Sequence, residues 1–196
     1  MSALECDFAD VVAANAAADN IQIFIWVAMN AFAQAAVTFE SQNIGGGKFS
    51  RIGKVAGVSC LCGATTGFLM GGFCVLFPSH LISLYATKEE VITAGVLKLC
   101  TVAGIYFLCG IQDCLSGTIR GMGYSLVPTI ISVFGACGVR VLWVTTAFQT
   151  PLFHSINGLY LVYPISWIIM IVAYLICFSI LRKRLPKNDL PISANE

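Results

Sequence analysis

Asp113 and Arg140 each sit inside a long apolar run, where an ionisable side chain is expensive and answers either to a function or to a partner. A carboxylate taken out of water holds its proton more tightly and can exchange it near neutral pH. Ringed by hydroxyl and carbonyl oxygens, the same group can ligate sodium. On a helix, Tyr106, Cys109, Asp113, Ser116 and Arg120 fall within an arc of about 80°, with Asp113 about two turns from the Arg120 end. Asp113 is therefore a candidate for coupling to an ion. The other reading makes it one half of a structural charge pair with Arg140. Helical rise sets Arg140 about 10 Å deeper than Asp113, so a bent arginine and some helix tilt would be needed to join them.

A second constellation lies near the N-terminus. If a helix begins near Asp10, then Asn15, Asp19, Gln22, Trp26, Met29 and Glu40 fall within about 40° of one line, with Asn30 beside it and Gln34 at its edge. Such a stripe at membrane depth predicts a wet face lining a substrate cavity. There Trp26 and Met29 would give adaptable apolar contact, Asp19 would attract cations, and Asn15, Gln22, Asn30 and Gln34 would supply hydrogen bonds. The same residues could instead bond helix to helix, with the many alanines between them allowing close approach.

Other chemistries find no support. Gly45-Gly46-Gly47-Lys48 lacks the leading glycine spacing and the Ser/Thr of a phosphate-binding loop, and no Ser-His-Asp set or glycosidase-like carboxylate pair is present. Of nine cysteines, all but Cys6 lie in or beside apolar runs, as buried thiols do. Cys60 and Cys62 point about 200° apart on a helix, and neither His80 nor His154 completes a metal site. The expectation is a protein that is not an enzyme and holds no metal or cofactor.

The elements that would position these residues are membrane helices. Hydrophobic residues make up 58% of the 196-residue chain and charged ones only 11%, against about 25% charged in a soluble domain. Runs long enough to cross a bilayer predict five spans, at about 10–41, 55–77, 94–120, 126–148 and 159–181. They form an all-α bundle over 1–187, followed by a polar cytoplasmic tail, 188–196. Pro78, Pro128 and Pro164, with the glycines at 45–47, 121 and 123, mark helix ends. Lys48, Arg51, Lys54, Arg120, Arg182, Lys183, Arg184 and Lys187 gather at one end of the bundle, which makes that end, and the C-terminus, cytoplasmic in a cell membrane (plasma or bacterial inner). Lys48, Arg51 and Lys54 at helical spacing read as a topological anchor on anionic headgroups. A formal net charge of +1 offers no field for nucleic acid. Five spans leave Met1 outside with no basic segment to carry it there, so a further helix is expected before residue 1.

Three stretches carry a resemblance. VVAANAAADNIQIFIWVAMNAFAQAAVTFESQNIGGGKFSRIGKV (11–55) resembles the second helix and loop of the C-terminal lobe of multidrug and toxic compound extrusion (MATE) transporters, with Gly46 in place of the Ala of a Gln-Asn-x-Gly-Ala-Gly pattern. SGTIRGMGYSLVPTIIS (116–132) resembles the turn joining the lobe's fourth and fifth helices, and LVYPISWIIM (161–170) its last helix. The resemblance implies the last five of twelve helices, from an inverted V of two six-helix lobes. It also implies export of cationic or aromatic drug-like compounds in antiport with sodium or protons, the partners being small organic substrates, the lipid bilayer and the missing N-terminal helices. In sodium-coupled members a carboxylate on the lobe's first helix works with one on its fourth, and Asp113 lies on the helix that corresponds to the fourth. The alternatives are a lipid-linked saccharide flippase, which would want a larger and more basic cavity, and an inactive or non-transporting membrane fragment.

Overall fold

The computed structural model describes residues 8–146, 160–186 and 189. Residues 147–159, which include His154 and the expected junction of the last two spans, lie outside the described residues, as do Lys187 and the tail from 188 onward apart from Asp189.

The longest element is α1, Phe8–Gly45, an alanine-rich helix of 38 residues. It stops where Gly47 takes a φ of 66° that only glycine adopts freely. Lys48 N–H reaches back to Asn43 O (2.8 Å) and Gly47 N–H to Ile44 O (3.1 Å), which satisfies the carbonyls left over at the helix end. A 3₁₀ turn, Phe49–Arg51, leads into α2, Ile52–Leu76. Pro78, whose missing N–H is harmless in a first turn, opens the short α3, Pro78–Ser83.

The run expected as one span at 94–120 is broken. It forms α4, Glu89–Ala103, and α5, Phe107–Gly121, which meet at a 51° bend. Gly104 weakens the helix at the break, and Ile105, Tyr106 and Leu108 are held there by tight three-residue backbone bonds. Tyr106 is turned inward and packs edge-on to Trp167, with ring centroids 5.5 Å apart. After α5, Gly123 at φ 94° repeats the glycine stop, with Tyr124 N–H bonded to Ile119 O at 3.2 Å. The next span is α6, Leu126–Ser132, then a π-helical turn, Val133–Gly138, then α7, Val139–Thr145. The last is α8, Val162–Arg184.

Among the described residues, four helical stretches are long and apolar enough to cross a membrane, five if the bent pair α4 and α5 counts as one. Large apolar side chains such as Phe24, Leu61, Phe68, Leu126, Phe134 and Ile176 point outward, as a lipid-facing surface requires. The protein is an all-α, multi-pass membrane protein. At its centre α1 packs against α2, α4 and α5, and α5 packs in turn on α2 and α8. Small residues set this closeness. Gly63, Gly67 and Gly71 on α2 face α4 and α5: a Cβ on Gly63 would come 3.1 Å from Gly110 O, and one on Gly71 would strike the Ala103 carbonyl. On α5, a Cβ at Gly117 would strike the Ala33 carbonyl of α1. Without a hydrophobic force between helices in lipid, such contact is what holds them.

Candidate functional site

The polar residues of α1 do not share one environment. In the N-terminal half of α1, Lys98 of α4 donates to Asp19 Oδ1 at 2.6 Å and to the Asn15 carbonyl at 3.3 Å. The Tyr160 hydroxyl donates to Asn15 Oδ1 at 3.0 Å. The Lys98 side chain is only 5% exposed, whereas that of Asp19 is 54% exposed. Lys98 is not among the residues that the sequence singles out. The signal was present in the spacing, since Val91, Gly95, Lys98, Leu99 and Val102 all lie on the buried face of α4.

Gln22 and Met29, expected on the wet face, lie in the bundle interior instead. Met29 is fully buried, its sulfur lodged against Gly67 and Gly110. Gln22 is buried too, and its Nε2 has no hydrogen-bond partner. Glu40, at the far end of the same line, is likewise enclosed. The buried face of α1 runs through Ala14, Ala18, Ile21, Ile25, Met29 and Ala36, so the polar line follows the seam between buried and open faces and crosses it.

The third group forms a pocket. Trp26, Asn30 and Gln34 of α1 and Asp113, Ser116 and Arg120 of α5 line a polar cavity of about 280 Å³, floored by Ala33, Val37 and Gly117. Trp26 Nε1 donates to Asp113 Oδ2 at 3.0 Å, and Gln112 Nε2 donates to Oδ1 at 3.2 Å. Gln34 Nε2 donates to Asn30 Oδ1 at 3.3 Å, and Arg120 Nη2 to Ser116 Oγ at 2.9 Å. The Gly117 contact with Ala33 is what brings the two helices near enough for the indole to reach the carboxylate. Trp26 is 42% exposed, so its ring also faces the open side.

The expected pairing of Asp113 with Arg140 is not what the structure holds. The Arg140 guanidinium lies over the Tyr163 ring, 4.6 Å from its centroid. Among the described residues the ion pairs are Lys88–Asp10, at 2.9 Å, and Lys98–Asp19. The physical reason is the depth difference: a ring on α8 lies within reach of Arg140, and neutral donors already serve Asp113. Asp113 thus combines a carboxylate satisfied by uncharged N–H groups with hydroxyl and amide oxygens close by and an opening on the outside of the bundle. That arrangement can exchange a small cation, whereas the Lys98–Asp19 arrangement has its charge already cancelled.

Comparison with known proteins bears on the same helices. The chain is 31% identical over 107 residues to "Probable multidrug resistance protein YoeA" of Bacillus subtilis (strain 168), a match covering 53% of this chain and 22% of that protein. The chain therefore corresponds to only about a fifth of that relative's length. The MatE family model matches residues 9–145, from α1 to the end of α7. With well over half of its length matched, and with the pocket lying within the matched part, the chain belongs to the MatE family, whose members are transporters.

Proposed function

We propose that these helices are the C-terminal part of a secondary transporter that exports drug-like or cationic organic compounds in exchange for sodium or protons, by alternating access. The observation that carries the reading is the pocket at Asp113, an anion held by neutral donors at membrane depth and open on the outside of the bundle. The Trp26 ring offers a π face to an organic cation, and Asn30 and Gln34 offer hydrogen bonds to its polar groups. Asp19 does not draw in cations, because Lys98 has cancelled its charge, and the attraction falls to Asp113. With Arg120 on the rim, a single carboxylate favours one cation at a time. Drug and coupling ion then compete for it, which is the condition antiport needs.

The basic end of the bundle is cytoplasmic in this reading, with the C-terminus inside a cell membrane and the remaining helices of the same transporter packed alongside. Engagement of Arg140 with Tyr163, away from the pocket, supports drug export over a flippase, which would need deep cations to hold a pyrophosphate. In the complete transporter carrying these helices, Asp113→Asn should be made in normal yield, lose ion-driven efflux and bind cationic substrate more weakly. Normal ion-driven efflux by that variant would overturn the proposal.

A further inference from the structure

A second cavity, of about 430 Å³, lies at the basic end of the bundle, between the 3₁₀ turn before α2 and the end of α8. Its polar wall is Ser50, Ser179, Arg182 and Lys183, and its apolar wall is Phe49 with Leu185 and Pro186. The volume falls within the range of about 300–1,000 Å³ that accommodates small ligands. Neither the pocket at Asp113 nor the transport reading makes use of it.

The chain already places an anion at the edge of this cavity. Asp189 accepts from Ser50 N–H and from Ser50 Oγ, both at 2.8 Å. These bonds hold its carboxyl below the usual carboxylate range, and the nearby Arg51 and Lys48 add to the effect. Ser50 therefore presents two donors shaped for a pair of oxygens on one centre, with Arg182 and Lys183 beside them. On the membrane side, Ile169, Val172, Ile176 and Ile180 form an exposed apolar stripe at helical spacing along α8, and its next member in register is Lys183. A ligand with a negative head and a long apolar chain would match both features. Free phosphate would match only the head.

We infer that this cavity binds the phosphate of an anionic membrane phospholipid, with its acyl chain along the α8 stripe, and that Asp189 competes for the same donors. The end of a membrane span is where such a headgroup lies, and Arg182 and Lys183 each add attraction worth about fivefold in affinity. Asp189 acts as a tethered stand-in that leaves when the lipid arrives.

The test uses the full chain in a zwitterionic detergent, with bound lipid counted by native mass spectrometry. Short-chain phosphatidylglycerol should give a one-to-one adduct, and phosphatidylcholine should not. Lys183→Gln should reduce the adduct by about fivefold, while Arg184→Gln and Lys54→Gln, equal in charge change but outside the lining, should change it little. Arg182→Gln should act like Lys183→Gln, but the Arg182 guanidinium also packs on Gly53, so Lys183 carries the decision if that variant fails to fold. Asp189→Asn should raise the adduct several-fold, and Glu196→Gln, the charge-matched control in the tail, should not. Equal losses in the Lys183 and Arg184 variants would mean diffuse attraction and overturn the site. Inorganic phosphate that displaces the lipid at similar concentration would overturn the lipid assignment. No gain in Asp189→Asn would overturn the competition.

Discussion

Two polar clusters hang on α1, and they solve the problem of charge in a membrane in opposite ways. Around Asn15 and Asp19 a carboxylate meets a buried ammonium at 2.6 Å, and a tyrosine hydroxyl closes the group. Around Trp26 and Asn30 a carboxylate meets uncharged donors, an indole N–H, an amide N–H and, at 4.0 Å, the Cys109 thiol. An ion pair cancels charge and ties two helices together. Neutral donors stabilise an anion while leaving its charge in place for something else to use. The first cluster is suited to fastening α4 to α1, and the second leaves a carboxylate with no ion-pair partner among the described residues, as the proposed transport role requires.

The largest effect should come from unbalancing the first cluster. Because Lys98 is buried and Asp19 half open, the two single changes should differ. Asp19→Asn strands an ammonium in the interior and should cost about 3–5 kcal/mol, whereas Lys98→Met leaves a carboxylate that water can reach and should cost much less. The double variant should recover most of the loss, since neither charge is then stranded. Melting midpoints of the three variants in detergent check this. Equal losses in the two single variants would dissolve the contrast.

A smaller effect is expected at the second cluster. Trp26→Phe keeps a ring on the pocket but deletes the N–H that reaches Asp113, and a hydrogen bond to a charged group is worth about 1.5–3 kcal/mol when shielded. Ion-driven efflux by the complete transporter should fall about tenfold, short of the complete loss expected for Asp113→Asn, with little change in melting midpoint. Wild-type efflux in Trp26→Phe would show that the indole only packs there.

Much of this molecule was legible in its sequence because the determining signals are local. Lipid-facing composition, the glycine stops at Gly47 and Gly123, and the prolines at helix starts all act within a turn or two of where they stand. Asp113 stood out as a carboxylate in an apolar run and lies in the pocket. What hydropathy could not show was the bend at 104–106, because Gly104, Ile105 and Tyr106 continue the apolar run while the packing of Tyr106 on Trp167 turns the chain. Lys98 with Asp19, and Arg140 with Tyr163, are contacts between separate helices whose relative rotation no spacing rule supplies. Helical periodicity shows which residues share a line but not which way the line faces, and so Gln22 and Met29 were grouped with Trp26.

A cysteine at an open position perturbs little, so labelling along α1 is the gentlest test of which way the line faces. In a complete transporter with the native thiols replaced, single cysteines at Trp26, Asn30 and Gln34 should react with a small hydrophilic thiol reagent and be protected by substrate, because those positions line the pocket. Cysteines at Gln22 and Met29 should react slowly, since both side chains are enclosed by neighbouring helices. A cysteine at Phe24 is exposed but faces the apolar surface beside Leu69 and Phe73, so the reagent should not find it in lipid and should find it in detergent. The pattern follows from geometry alone: accessibility should change over four residues along one helix, where a uniformly wet stripe would label 22, 26 and 29 alike. Equal labelling at those three positions would restore the continuous cavity and remove the distinction between the enclosed and the open positions of α1.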